Sequence, residues 1–350
     1  MPLNTHPDLG AVGADPFFER GACAFGVART ILGARFHFAC THPALLEPVE
    51  AAYGGLAQDE GSPDLPVFHV EIRLVPRDDA PAMDEPPPVV TRSGAGLLCG
   101  VMDASNYVIV DPAHRRAFVA VSSDMLAWPY HVRYELVEFA VFLLAARGMH
   151  LLPLHAACVG HDGRGMLLLG ASGAGKSTLA LHSLLDGLAF VAEDAIFVDP
   201  LRMAARGVGN FLHVRDDALR FIDDAPLRRW IASAPVIRRR SGVEKFEADL
   251  RVGHGRVATA PLPLAGAVFV SADPASSSRE MVSRLSSDET LARLVVDQPY
   301  AAAQPGWDRF ARQLAHAGAY VLRRGSHPRD GVRALRDLLA AHGVASAASA

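Results

Sequence analysis

The chain has 350 residues, half of them hydrophobic and 21% charged, with a formal net charge of −4. That composition supports a sizeable core, excludes global disorder and carries no electrostatic footprint of a nucleic-acid partner. The length suggests about two domains.

Residues 1–16 are polar and contain Pro and Gly, so a disordered N-terminus is expected. They show no basic start followed by an apolar run, so no signal peptide and a cytoplasmic location are expected. Residues 17–150 read as a β-rich domain. Ala34–Cys40 and the alternating Val67–Val75 read as strands, and Tyr107–Val121 as a hairpin. Arg77–Pro88 is a solvated loop. A short helix is expected near Ala44–Ala52, with Pro48 counting against it. A longer apolar helix, His131–Arg147, leads out of this region and stops at Gly148. Its apolar run, Phe139–Ala146, is too short to span a bilayer, so no membrane role is expected. Cys23, Cys40, Cys99 and Cys158 are scattered without a C-x-x-C pair. They read as small buried residues of a reducing compartment, with no zinc site or disulfide framework.

The text changes at residue 151. Leu154–Val159 and Met166–Leu169 read as strands joined by a turn at Asp162–Gly165. Gly170-Ala-Ser-Gly-Ala-Gly-Lys-Ser177 then fits G-x-x-x-x-G-K-[ST], between an apolar strand and a helical pattern that ends at Gly187. Glycines let successive N–H groups turn toward one phosphate, and the helix adds its positive end. Gly170, Ser172, Gly173, Ala174, Gly175, Lys176, Ser177 and Thr178 are therefore the candidate nucleotide-binding residues. Lys176 is suited to the β- and γ-phosphates and Ser177 to Mg²⁺, so ATP and Mg²⁺ are the expected ligands.

Leu188–Ala192 and Ala195–Pro200 read as further strands, and Glu193 and Asp194 lie between them. An apolar run ending in a carboxylate pair shortly after such a loop suits metal binding and activation of a hydroxyl. His155 is expected in a strand that pairs with the loop strand, which would carry it toward the phosphates. Arg215 and Lys245 are candidate cations for the charge that phosphoryl transfer spreads over oxygen, and solvated loop charges are the plainer reading. The run Arg238–Arg240 ranks behind them for the same role, and docking of an acidic or phosphorylated partner is its alternative. Two C-terminal helices are expected, one from about Ser287 and one over Arg329–Ala341, before a disordered tail at 344–350.

His155-Ala-Ala-Cys-Val159, Leu167–Ala180 and Gly187–Asp194 together resemble the HPr kinase/phosphorylase family. They look closest to the HPr-kinase-related proteins of ribosomal-peptide clusters, including lasso-peptide kinases. The resemblance is sharp only over residues 154–199. It implies an α/β fold, with a P-loop domain over residues 151–343 of the type shared with phosphoenolpyruvate carboxykinases and built on a mixed sheet. It implies ATP-dependent phosphorylation of a Ser hydroxyl on a peptide or small protein, with Glu193 and Asp194 supplying base and metal contact between them. The family usually has Asp-Asp where this chain has Glu193-Asp194. Homo-oligomers are compatible with the resemblance. A nucleotide-dependent peptide-recognition module without catalysis, an ATPase and a small-molecule kinase are the alternatives.

Overall fold

The computed structural model describes residues 22–56, 64–77, 85–252 and 256–347. The expected disorder at 1–16, part of the loop at 77–88 and residues 348–350 of the tail lie outside them.

The first sheet has seven strands among the described residues: β1 (Phe25–Ile31), β2 (Ala34–Cys40), β3 (Val67–Val75), β4 (Val90–Gly94), β5 (Leu97–Val101), β6 (Tyr107–Asp111) and β7 (Arg116–Ser122). Their order is β1-β2-β3-β7-β6-β5-β4. The pairs β2–β3 and β3–β7 are parallel, and the others antiparallel. The alternation read over Val67–Val75 is β3, whose Phe68, Val70 and Ile72 face the core. Helix α1 (Glu47–Tyr53) accommodates Pro48 in its first turn, where the missing N–H has no helical partner to lose.

The exit helix differs from expectation. It begins two residues earlier, with α2 (Pro129–His131), widens into a π-helical turn over Val132–Val137, and continues as α3 (Glu138–Gly148). The wide turn carries Arg133 and Tyr134, which reach across to the second half of the molecule.

That half is built on β8 (Leu152–Leu154), β9 (Ala157–His161), β10 (Arg164–Leu169), β11 (Ala189–Ala192), β12 (Ile196–Asp199), β13 (Ala204–Gly207), β14 (Phe211–Val214), β15 (Val236–Arg238), β16 (Glu244–Asp249), β17 (Arg256–Val257), β18 (Leu262–Pro274), β19 (Val282–Arg284) and β20 (Ala319–Arg324). The main path runs β17-β11-β9-β10-β18-β13-β12-β8, with β20 on β18 and β19 on β20. Strand β10 is parallel to β18 and antiparallel to β9, so this sheet, like the first, is mixed. Strands β14, β16 and β15 form a separate antiparallel layer. The protein is thus a mixed α/β fold.

The helices are α4 (Lys176–Leu185), α5 (Ala225–Ala232), α6 (Ser287–Asp297), α7 (Pro299–Ala302), α8 (Trp307–Ala317) and α9 (Pro328–Ala347). The α6 start carries a capping box between Ser286 and Glu289. The last helix runs to Ala347, beyond the expected end at Ala341 and into the tail read as disordered.

Strand β10 explains its own unbroken apolar run. Met166 and Leu168 pack on the α4 and α9 side, while Leu167 and Leu169 pack on the α6 and α8 side. A strand covered on both faces has no solvated side on which to alternate. Leu168 is fully buried, so Leu168→Ala should destabilise the protein by about 2–5 kcal/mol. Urea unfolding followed by circular dichroism checks this; an unchanged midpoint would contradict the two-sided packing.

Candidate active site

The loop Gly170–Gly175 leaves the C-terminal end of β10 and enters α4. Its glycines answer to geometry. Gly170 has φ +126°, and a Cβ there would lie 2.6 Å from the Val270 carbonyl; Gly175 has φ +108°. Lys176 Nζ donates to the carbonyls of Gly170 (2.5 Å) and Ala171 (3.3 Å). Burial lowers its pKa, while Asp297 and Asp194 act the other way. Ser172, Gly173, Gly175, Lys176, Ser177 and Thr178 line a cleft of about 790 Å³; Ala174 faces a neighbouring cavity instead.

His155 is not in a strand. The run read as one strand, Leu154–Val159, breaks between β8 and β9, and His155 sits in the break. Its backbone N–H donates to Gln298 Oε1 (2.8 Å), and Gln298 Nε2 donates back to its carbonyl (3.0 Å). A buried side-chain amide thus replaces the strand partner that the break removes. A second break, Glu193–Ala195, separates β11 from β12. Because β11 pairs with β9 and β12 with β8, the two breaks lie side by side. His155 Nδ1 is 3.2 Å from Asp194 Oδ1. The antiparallel pairing of β9 with β10, Ala157 opposite Leu168, brings both to the edge where the phosphate loop starts.

The acidic pair is divided between two environments. Asp194 is partly exposed in the cleft, and Arg239 Nη2 donates to its Oδ2 at 2.9 Å. Burial would raise its pKa, but Arg239, His155 and Lys245 more than offset this and hold it below the usual carboxylate range. Glu193 is 4% exposed. Its Oε1 accepts from the His213 backbone N–H (2.9 Å) and lies 2.8 Å from His213 Nδ1. The extra methylene relative to Asp lets it reach β14, where His213 lies.

His213 belongs to a buried cluster. Its Nε2 lies 2.6 Å from the Tyr134 hydroxyl and 3.2 Å from Glu247 Oε1. Burial opposes the imidazolium, yet the hydrogen bonds to Glu193 and Glu247 prevail and raise its pKa. Arg133 donates to Glu247 and stacks on Tyr134 and Phe211. Glu138 completes the cluster, its carboxyl pushed up to about 7 by burial against the pull of Arg133.

The cations sort themselves differently from the sequence reading. Lys245 and Arg215 line the cleft, but Arg215 is exposed and pairs with Asp217 at 3.2 Å. The arginine that meets the Asp194 carboxylate is Arg239, from the run ranked behind Lys245 and Arg215. Within that run Arg240 pairs with Glu135 and Glu85, and Arg238 is exposed. His213 and Gln298 carried no signal: neither stands in a motif, and each gains its role from a strand or helix remote in sequence.

Among the described residues no group of three or more His, Cys, Asp or Glu forms a metal cage. Mg²⁺ needs none, since one or two carboxylates together with substrate phosphates commonly hold it. Ser177 and Asp194 line the cleft, and Glu193 Oε2 is buried without a hydrogen-bond partner, a donor set of oxygens that suits a hard cation. Cys40 and Cys158 are buried as expected, but Cys23 and Cys99 only partly so. Among the described residues no helix is long and apolar enough to cross a membrane.

No protein-family model matches the chain, and no curated protein matches it.

The Glu138 carboxyl gives a test of the buried cluster. Its folded pKa of about 7 stands above its ordinary value of 4.5, so the folded state keeps a proton that the unfolded chain releases. Its stabilising contribution is full below pH 4.5 and is lost as pH rises through 7, by about 3 kcal/mol in all. Glu138→Gln should flatten that loss. Urea midpoints of both proteins at pH 5 and pH 8 measure it, and parallel slopes would refute it.

Proposed function

We propose that the chain is an ATP- and Mg²⁺-dependent kinase that transfers the γ-phosphate to a Ser or other hydroxyl of a peptide or small protein, of the HPr-kinase-related type. One observation carries the reading: the loop residues Lys176 and Ser177, the Asp194–His155 pair and the cations Arg239 and Lys245 all line one cleft. A phosphate cradle alone is compatible with many activities. A carboxylate held beside it, with cations lining the same cleft, suits transfer to a hydroxyl.

In this reading the triphosphate lies on the loop N–H groups and the N-terminus of α4, with Lys176 at the β- and γ-phosphates. Ser177 and Asp194, with Glu193 behind them, would hold Mg²⁺, which would supply neutralisation of the phosphate charge. The acceptor hydroxyl would share the same cleft, whose lining includes Tyr130 and Arg240. Its oxygen forms the new bond to phosphorus as the bond to the β-phosphate oxygen breaks, and its proton passes to Asp194. The transition state is loose, so the base need not be strong, and a carboxylate below the usual range suffices. Arg239 and Lys245 stabilise charge on the equatorial oxygens. His155 and Arg239 also orient the Asp194 carboxylate.

A second reading, a nucleotide-binding peptide module without turnover, is favoured by one fact. Both Asp194 oxygens already face cations, which is also a stable arrangement for a carboxylate that does no chemistry.

γ-labelled ATP, Mg²⁺ and serine-containing candidate peptides separate the two. Label should appear on a peptide. Lys176→Ala should abolish it, and Asp194→Asn should lower kcat roughly 10²–10⁴-fold. Phosphate release without acceptor labelling would mark an ATPase, and binding without turnover the module. Labelling that survives Lys176→Ala would overturn the mechanism.

A further inference from the structure

Two cavities meet at the phosphate loop. Gly173, Gly175 and Thr178 line both. Lys176, Ser177, His155 and Asp194 line only the first. The second, of about 560 Å³, opens where β18 and β20 end, between the turn Asp216–Phe221 and the Gly325–Pro328 segment that leads into α9. It lies outside the carboxyl ends of two parallel strands, where open α/β sheets bind their ligands.

We propose that this second cavity is the nucleoside subsite, holding the base and ribose of the nucleotide whose phosphates occupy the loop; this rests on the nucleotide-binding reading above. A nucleoside triphosphate has its reactive phosphate and its nucleoside at opposite ends. The residues suited to the terminal phosphates line the first cavity alone, so the nucleoside leaves the loop on the other side, past Thr178. The walls agree with that polarity. The first cavity is edged by Arg239, Arg240, Lys245 and Asp194, and it must also admit the acceptor. The second offers the rings of Phe221 and His327, 5.6 Å apart and edge to face. Arg220 lies over Phe221 at 4.7 Å. Aromatic and guanidinium surfaces are what a nucleobase stacks on. His327 also has a donor to offer. Its Nδ1 accepts from the Arg329 N–H at 3.1 Å, which leaves the proton of the neutral ring on Nε2.

Calorimetric titration with Mg²⁺ compares ATP with inorganic tripolyphosphate, which has the phosphates and no nucleoside. Wild-type protein should bind ATP roughly 10-fold or more tightly than tripolyphosphate. Phe221→Ala should bring ATP down to the tripolyphosphate level and leave tripolyphosphate unchanged, while Phe221→Tyr should keep the preference. Ala272→Trp fills the cavity from an exposed strand position, needs no buried contact to be lost, and should act as Phe221→Ala does. Equal affinities in the wild type would overturn the inference. So would an undiminished ATP preference in Ala272→Trp, whether or not Phe221→Ala folds. If both ligands bind equally and both need Lys176, the subsite alone is wrong. If neither binds, or both bind independently of Lys176, the nucleotide reading itself has failed.

Discussion

Strand β9 runs antiparallel between β10 and β11, and the candidate site depends on that insertion. In a purely parallel arrangement the residue preceding a strand would lie at the opposite edge from a loop that follows its neighbour. Reversing β9 puts its N-terminal end beside the C-terminal ends of β10 and β11. His155, the phosphate loop and Asp194 then share one edge. The breaks at His155 and at Glu193–Ala195 coincide because β8–β9 and β12–β11 pass together from one run of the sheet to the next. Backbone released from the ladder at a break needs another partner, and Gln298 supplies it for His155. Ladder geometry thus places the candidate site, and the Gln298 amide holds the break at His155.

Behind the cleft, the buried cluster joins the two halves of the molecule. Glu193, Glu247 and Glu138 are three carboxyl groups gathered around the Arg133 guanidinium and the His213 imidazole. Buried charges left unmatched cost several kcal/mol each, so one group must yield its charge. Glu138, whose carboxyl burial pushes up to about 7, is placed to keep its proton near neutrality, while, despite burial, hydrogen bonds from His213 and the Arg133 charge hold Glu247 below the usual range. Arg133, Tyr134 and Glu138 come from the exit helix of the first half, His213 and Glu247 from the β14–β16 layer. The exit helix is therefore more than a connector. Its π-helical turn sends Tyr134 into the wall of the cleft and Arg133 to Glu247 behind it, in keeping with the tendency of such turns to occur at functional positions.

The acidic pair shows how neighbours in sequence acquire different duties. Adjacent residues at the end of a strand point to opposite sides. Asp194 turns into the cleft toward Arg239 and His155, whereas Glu193 turns toward β14 and is clasped by His213. The longer Glu side chain is no defect there, because its reach is what meets His213. The departure from an Asp-Asp pair bears on the support of the site more than on its open face.

What the sequence by itself determined is local. Glycines at Gly170 and Gly175, followed by Lys176 and Ser177, allow the turn with φ above zero that joins β10 to α4. The alternation over Val67–Val75 and the helix start near Ser287 were legible for the same reason, since their physics spans a few residues. Leu154–Val159 read as one strand because its composition is continuous, and only the pairing of β8 with β12 and β9 with β10 shows the break at His155. Arg239 looked like one cation in a run of three; its partner Asp194 is 45 residues away in the chain. Gln298 and His213 answer to partners still more remote or without pattern. Tertiary structure decided these positions because charge pairing and ladder repair are long-range interactions, set by which strands lie side by side and not by residue spacing along the chain.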